Sequence, residues 1–285
     1  MKIFLSSLAC AVVVCIVGAT PGFAGAAPFV LFSTVGTQCS YSQYPNSLIT
    51  VDSGSGKQQL VGQPGQASEV FWLAANPVSH TLYGTGRELN CGYLDESTLY
   101  TINPHSGVIS SQVTLSQNVG EIAASPQGAL YGVSGNTLGT INTATGHFSS
   151  IGTLSLPTGY FFLSMAFSPG GTLYGVMYSG NNQQLITINP ATGALVSDVG
   201  SLGLYTIGDI TFAPDGYIYA TNYSYWLLRI DPQTLSNTSV GYGTIGDLNG
   251  IAAISVSATP EPGTLLLLGT GLLGVIGVIR RKISL

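Results

Sequence analysis

The sequence predicts an all-β protein: a closed ring of five four-stranded sheets, sealed by its own last strand. Three observations carry that expectation. A tyrosine-centred marker recurs at Tyr83, Tyr131, Tyr174 and Tyr219, at spacings of 48, 43 and 45 residues. A second marker follows each one, at Ile102-Asn103, Ile141-Asn142, Ile188-Asn189 and Ile230-Asp231, with an earlier copy at Val51-Asp52. The apolar residues between markers lack the 3.6-residue spacing of a helix.

The elements follow in chain order. Lys2, the apolar stretch Leu8 to Ala19 and the small residues Ala24-Gly25-Ala26 form a signal peptide, 1–26, to be cut by signal peptidase after Ala26. A repeat domain at 27–258 comes next, with units at about 30–70, 71–120, 121–162, 163–206 and 207–256. In each unit the first strand is short and apolar: Ile122 to Ala124, Met165 to Phe167, Ile210 to Phe212. A tight turn such as Ser168-Pro169-Gly170-Gly171 leads to the second strand, which carries Leu-Tyr-Gly. The third ends in Ile-Asn. There an Asn or Asp side chain caps a turn such as Asn189-Pro190-Ala191-Thr192-Gly193 into the fourth. Leu235 stands where the other copies carry glycine, which predicts a differently built corner.

The first unit opens at Phe29 to Thr34, already a second strand, and the chain supplies an extra first strand at Gly250 to Val256. Pairing the two closes the ring and leaves no open sheet edge. Residues 30–256 divide into five units of about 45, the length of a four-stranded blade, so the fold expected is a five-bladed β-propeller.

Composition narrows the partners. The chain is only 7% charged, and residues 28–259 hold eleven acids against Lys57, Arg87 and Arg229, a net of about −8. Nucleic acid is disfavoured as a partner, because phosphate binding draws on Lys and Arg.

The C-terminal segment, 259–285, reads Pro260-Glu261-Pro262, then an apolar run from Thr264 to Ile279, then Arg280-Arg281-Lys282. As a helix the run spans roughly 24 Å, a short transmembrane helix with the three cations as a cytoplasmic stop. That order closely resembles the C-terminal sorting signal of the PEP-CTERM proteins of Gram-negative bacteria, with Gly263 where a small polar residue is usual. The resemblance implies a membrane-bound precursor and cleavage near Pro260 to Pro262 by an exosortase-type protease. Release, or attachment to surface polysaccharide at the cell surface, would follow.

Candidate site residues are few. Cys39 and Cys91 occupy matching places in the first two units and are expected to form a disulfide, closing a ~50-residue loop worth about 4 kcal/mol. Glu121 and Asp209 directly precede their first strands, Ser164 holds the same place in the fourth unit, and Glu69 and Asp247 lie three residues earlier in theirs. The four acids are expected near the channel mouth as solvated carboxylates that keep that face soluble; the alternative is a site for a hard cation such as Ca²⁺ or for sugar hydroxyls. The loops 33–47 and 84–98, with Asp95 and Glu96, are expected on that same face. His80, His105 and His147 fall in or beside tight turns without metal-ligand spacing, and no catalytic or cofactor motif is present. The functional expectation is a non-enzymatic surface or matrix protein; its loop tyrosines (Tyr41, Tyr44, Tyr93, Tyr223, Tyr225) either pack between blades or stack on sugars. A secreted hydrolase or lyase is the alternative, on fold analogy alone.

Overall fold

The computed structural model describes residues 27–36, 44, 46–63, 69–87, 97–203, 207–222 and 226–256, with Glu69 and Arg87 described by their backbone only. The leader, Cys39, Cys91, the loop acids Asp95 and Glu96 and the entire tail lie outside the described residues. So do Tyr41, Tyr93, Tyr223 and Tyr225.

Every described element is a strand, and the strands form five antiparallel sheets of four. The second blade holds β4 (Glu69–Ala75), β5 (Leu82–Arg87), β6 (Thr98–Ile102) and β7 (Ile109–Thr114). The third holds β8 (Ile122–Ala124), β9 (Leu130–Ser134), β10 (Thr137–Ile141) and β11 (Phe148–Thr153). The fourth holds β12 (Phe161–Phe167), β13 (Leu173–Ser179), β14 (Asn182–Ile188) and β15 (Leu195–Ser201). The fifth holds β16 (Ile210–Phe212), β17 (Ile218–Thr221), β18 (Trp226–Ile230) and β19 (Asn237–Tyr242).

The first blade is assembled from both ends of the domain. β20 (Leu248–Ser255) is its innermost strand, followed outward by β1 (Phe29–Val35), β2 (Leu48–Val51) and β3 (Gln58–Gly62). β20 and β1 pair antiparallel from Phe29↔Ser255 to Ser33↔Ile251 and again at Val35↔Leu248. The expected closure is therefore the one observed.

The strands form where they do because alternate residues bury against the two neighbouring blades. Leu228 and Ile230 of β18 pack towards the fourth blade, on Val176 and Leu185. Leu227, one residue before Leu228, points the other way, into the cluster of Leu31, Ile49, Val51 and Ile251 in the first blade. One apolar cluster fills each of the five gaps between blades.

The tight turns carry the repeat. In each copy of the turn between the third and fourth strands, an Asx side chain accepts a backbone N–H two residues on. The donor is His105 to Asn103 (2.8 Å), Ala144 to Asn142 (3.0 Å), Ala191 to Asn189 (2.9 Å) and Gln233 to Asp231 (2.8 Å). In the first blade Asp52 accepts from the N–H groups of Gly54 and Ser55 at 3.2 and 2.8 Å. The glycine that ends the turn takes a positive φ, as Gly193 does at 73°. It also abuts the preceding blade: a Cβ on Gly193 would lie 2.9 Å from the Gly152 carbonyl oxygen.

Leu235 corrects one expectation. Its φ is 58° and its N–H bonds to the Asp231 carbonyl at 2.9 Å, so the corner is built as in the other copies. The left-handed strain is offset by packing, since the Leu235 side chain lies against the apolar cluster between the fourth and fifth blades, beside Gly200.

The ring has two unlike faces. The tight turns, Ser255 and the first and last described residues lie on one, the turn face, where Val256 N–H bonds to the Pro28 carbonyl at 2.8 Å. The strand ends that flank the second-to-third-strand connections, such as Val35 and Leu48, Arg87 and Thr98, and Thr221 and Trp226, lie on the other, the loop face, with the strand ends that lead from blade to blade. The sequence-derived loops therefore leave from the same end as the blade linkers.

Candidate functional site

The five innermost strands, β20, β4, β8, β12 and β16, each turn one backbone edge towards the axis. Those edges hold peptide groups with no strand to pair with, and buried peptide groups require partners. Strand register aligns Leu73, Ile122, Met165, Ile210 and Ile251 at one level of the channel, because each opposes the same position of its second strand. One step towards the loop face the aligned residues are Trp72, Glu121, Ser164, Asp209 and Gly250.

Asp209 is the residue that reaches inward. It is 3% exposed, and its carboxylate gathers donors from four blades. The Ser164 hydroxyl donates to Oδ1 at 2.6 Å, the Ile210 N–H to Oδ1 at 2.8 Å and the Ile251 N–H to Oδ2 at 2.9 Å. The Leu73 N–H of the second blade also bonds to it. Burial pushes this carboxyl up to about 7, and the four donors oppose that rise by favouring the charged form. Gly250 completes the level, since a Cβ there would come within 2.7 Å of the Leu73 nitrogen and the Phe71 oxygen. On the turn-face side the channel widens into a cavity of about 230 Å³, walled by small residues such as Ala74, Ala123, Ala166 and Ala253.

Of the expected channel-mouth residues, the structure brings Ser164 and Asp209 into direct contact. Glu121 and Asp247 are half-buried, with their carbonyls accepting from the Val133 and Gly36 N–H groups at 3.0 and 3.2 Å. Glu69 opens β4, opposite Arg87. Among the described residues, no three His, Cys, Asp or Glu side chains gather where a metal ion could sit. His80, His105 and His147 occupy turn positions, as expected.

A second feature was not visible in the sequence. Among the described residues the exposed large aromatics are Phe161, Trp226 and Tyr242, at 62%, 41% and 51%, and all three stand at loop-face ends of strands. They form cross-strand pairs. Phe161 and Tyr178 are directly opposed with ring centroids 5.6 Å apart, and Trp226 and Tyr242 likewise at 5.4 Å, edge to face. Tyr44, the one loop tyrosine described, is half-buried.

Comparison with known proteins adds two findings. The PEP-CTERM protein-sorting motif matches residues 258–282, so the chain carries the sorting signal its tail resembles, a signal that points to export through the Gram-negative cell envelope and to processing by an exosortase-type system. No curated protein sequence matches the chain. A symmetrical protein studied for its de novo evolutionary emergence under folding constraints is 18% identical, covers 82% of this chain and 100% of its own, and superposes with a TM-score of 0.52. At that identity the likeness concerns fold alone. Hydrazine synthase of Kuenenia stuttgartiensis (15% identity, 72% of this chain, TM-score 0.43) is spanned over only 63% of its chain. A protein of unknown function from Bacteroides thetaiotaomicron is 17% identical over 80% of this chain and 70% of its own, with a TM-score of 0.49.

Proposed function

We propose that this exported propeller is a non-enzymatic display module, carried to the cell surface by its tail and presenting the loop face to a glycan or protein. The observation that carries the reading is the placement of the two faces. Val256 lies on the turn face, and Pro260 to Pro262 follow within about 20 Å of extended chain. A membrane helix at 264–279 would therefore hold the turn face towards the bilayer and aim the long loops away from it. A leader at 1–26 and a disulfide between Cys39 and Cys91 in the loop-face connections complete the reading. Attachment to surface polysaccharide after sorting is consistent with it.

The channel supports binding over catalysis. Asp209 is buried, and its oxygens are committed to backbone and hydroxyl donors of four blades. A hydrolase built on channel carboxylates needs a pair facing substrate. The test is whole-cell labelling of an epitope inserted in the 88–97 connection, followed by a glycan array and a reducing-sugar release assay. Surface labelling with binding and no turnover is expected. Release of reducing sugar, or an epitope accessible only after lysis, would overturn the proposal.

A further inference from the structure

The two aromatic pairs described above share one cleft. In β13, Val176 packs towards the fifth blade, so Tyr178, two residues on, faces the same way and Phe161 opposes it. In β18, Leu228 and Ile230 pack towards the fourth blade, so Trp226 does as well, with Tyr242 opposite. The four rings thus wall the loop-face end of the gap between the fourth and fifth blades. Buried Ile207, held by Gln183 at both its N–H (2.9 Å) and its carbonyl (3.2 Å), forms part of the floor.

The described residues that reach this cleft, 158–164, 176–184, 202–203, 207–208, 222, 226–228 and 240–246, include no charged residue. They are instead rich in Asn, Gln, Ser, Thr and Tyr. Rings pre-ordered by cross-strand pairing lose little entropy when a flat apolar surface stacks on them, and neighbouring amides and hydroxyls supply donors and acceptors. A wall of this kind matches a ligand with apolar faces, a hydroxylated rim and no charge. An acidic chain would find no cation in those segments to meet it.

We propose that the cleft between the fourth and fifth blades is a stacking site for an uncharged pyranose polysaccharide, with Phe161 and Trp226 as its principal platforms. The proposal rests on the display reading above and names its ligand class and site. The full-length protein, solubilised in detergent, is titrated with laminarihexaose, cellohexaose and maltohexaose, and with hexagalacturonate as the acidic control. The chain has two tryptophans, and Trp72 is 8% exposed, so a change in emission on titration reports Trp226.

At least one neutral hexamer is expected to shift that emission to the blue and saturate, with hexagalacturonate inert. Phe161→Ala should weaken binding about tenfold by the same signal, and Trp226→Ala about tenfold or more by calorimetry. Trp226→Tyr should restore most of the affinity. Both positions are exposed, so unchanged thermal midpoints will show that the variants remain folded. Wild-type affinity in both alanine variants would overturn the cleft while leaving a loop-face ligand elsewhere. Equal or tighter binding of hexagalacturonate would overturn the neutral chemistry. No binding of any hexamer would overturn the site, and an array with no ligand at all would overturn the display reading with it.

Discussion

The turn face repeats and the loop face does not. On the turn face, Asx-capped corners recur in all five blades with the same hydrogen bond, even where Leu235 replaces glycine. Towards the loop face, the equivalent channel positions hold Trp72, Glu121, Ser164, Asp209 and Gly250. The contrast shows where each kind of constraint acts. Corners must meet the same neighbour in each gap, so physics selects one solution repeatedly. The axis is a single shared space, so five equivalent residues cannot all enter it and one side chain serves four blades.

The comparison can be broken first at its closure. Deleting 248–255 exposes β1 along its whole edge and uncovers Ile49, Val51 and Leu227. Loss of cooperative unfolding by circular dichroism is expected, because an open ring of this size loses two of its five cores. A truncated chain that melts like the intact one would show that closure is dispensable.

Next comes the axis. Asp209→Ala leaves the Ile210, Ile251 and Leu73 N–H groups and the Ser164 hydroxyl buried without their acceptor. A loss of about 3–5 kcal/mol in urea denaturation is expected. The same residue gives a pH signature. Its folded carboxyl titrates near 7, above an ordinary value of 3.8, so between those limits the folded state binds the proton more tightly than the unfolded state. Stability from this group is therefore fully present below about pH 4 and falls as pH rises to 7, by about 4 kcal/mol in all. In Asp209→Asn that slope should flatten. A wild-type midpoint that rises steadily from pH 4 to 7 would contradict the buried environment.

Smaller effects belong to the corners. Asn189→Ala removes one exposed Asx bond and should cost about 1 kcal/mol. Leu235→Gly relieves about 1 kcal/mol of left-handed strain and gives up packing of similar size, so its midpoint should barely move. The smallest shift is expected on the loop face, where Trp226→Ala or Phe161→Ala should change stability by no more than ~0.5 kcal/mol. A larger loss would place those rings in the structural frame rather than on a surface.

Much of this was legible in the chain. Repeat spacing revealed the blade count, and the missing first strand of the opening unit revealed which strand closes the ring. Asn or Asp at every corner announced its cap. Ser164 and Asp209 were recognisable as equivalent positions, but their contact was not. Equivalence in a repeat says that two residues occupy the same level, while only the closed ring brings levels from different blades to one axis. The aromatic pairs were hidden for a similar reason. Phe161 and Tyr178 are 17 positions apart in sequence, and Trp226 and Tyr242 are 16 apart. Register alone puts each pair side by side, and the pleat decides which gap it faces.

By itself, the sequence determined the all-β class, the number of blades, the corner chemistry and the export signal. Each of these depends on local preference or on short, contiguous motifs. The tertiary structure decided that one carboxylate ties four blades together and that two aromatic pairs from different blades face the same gap. Both depend on distances across the ring, which arise only when strands far apart in the chain are brought together by closure.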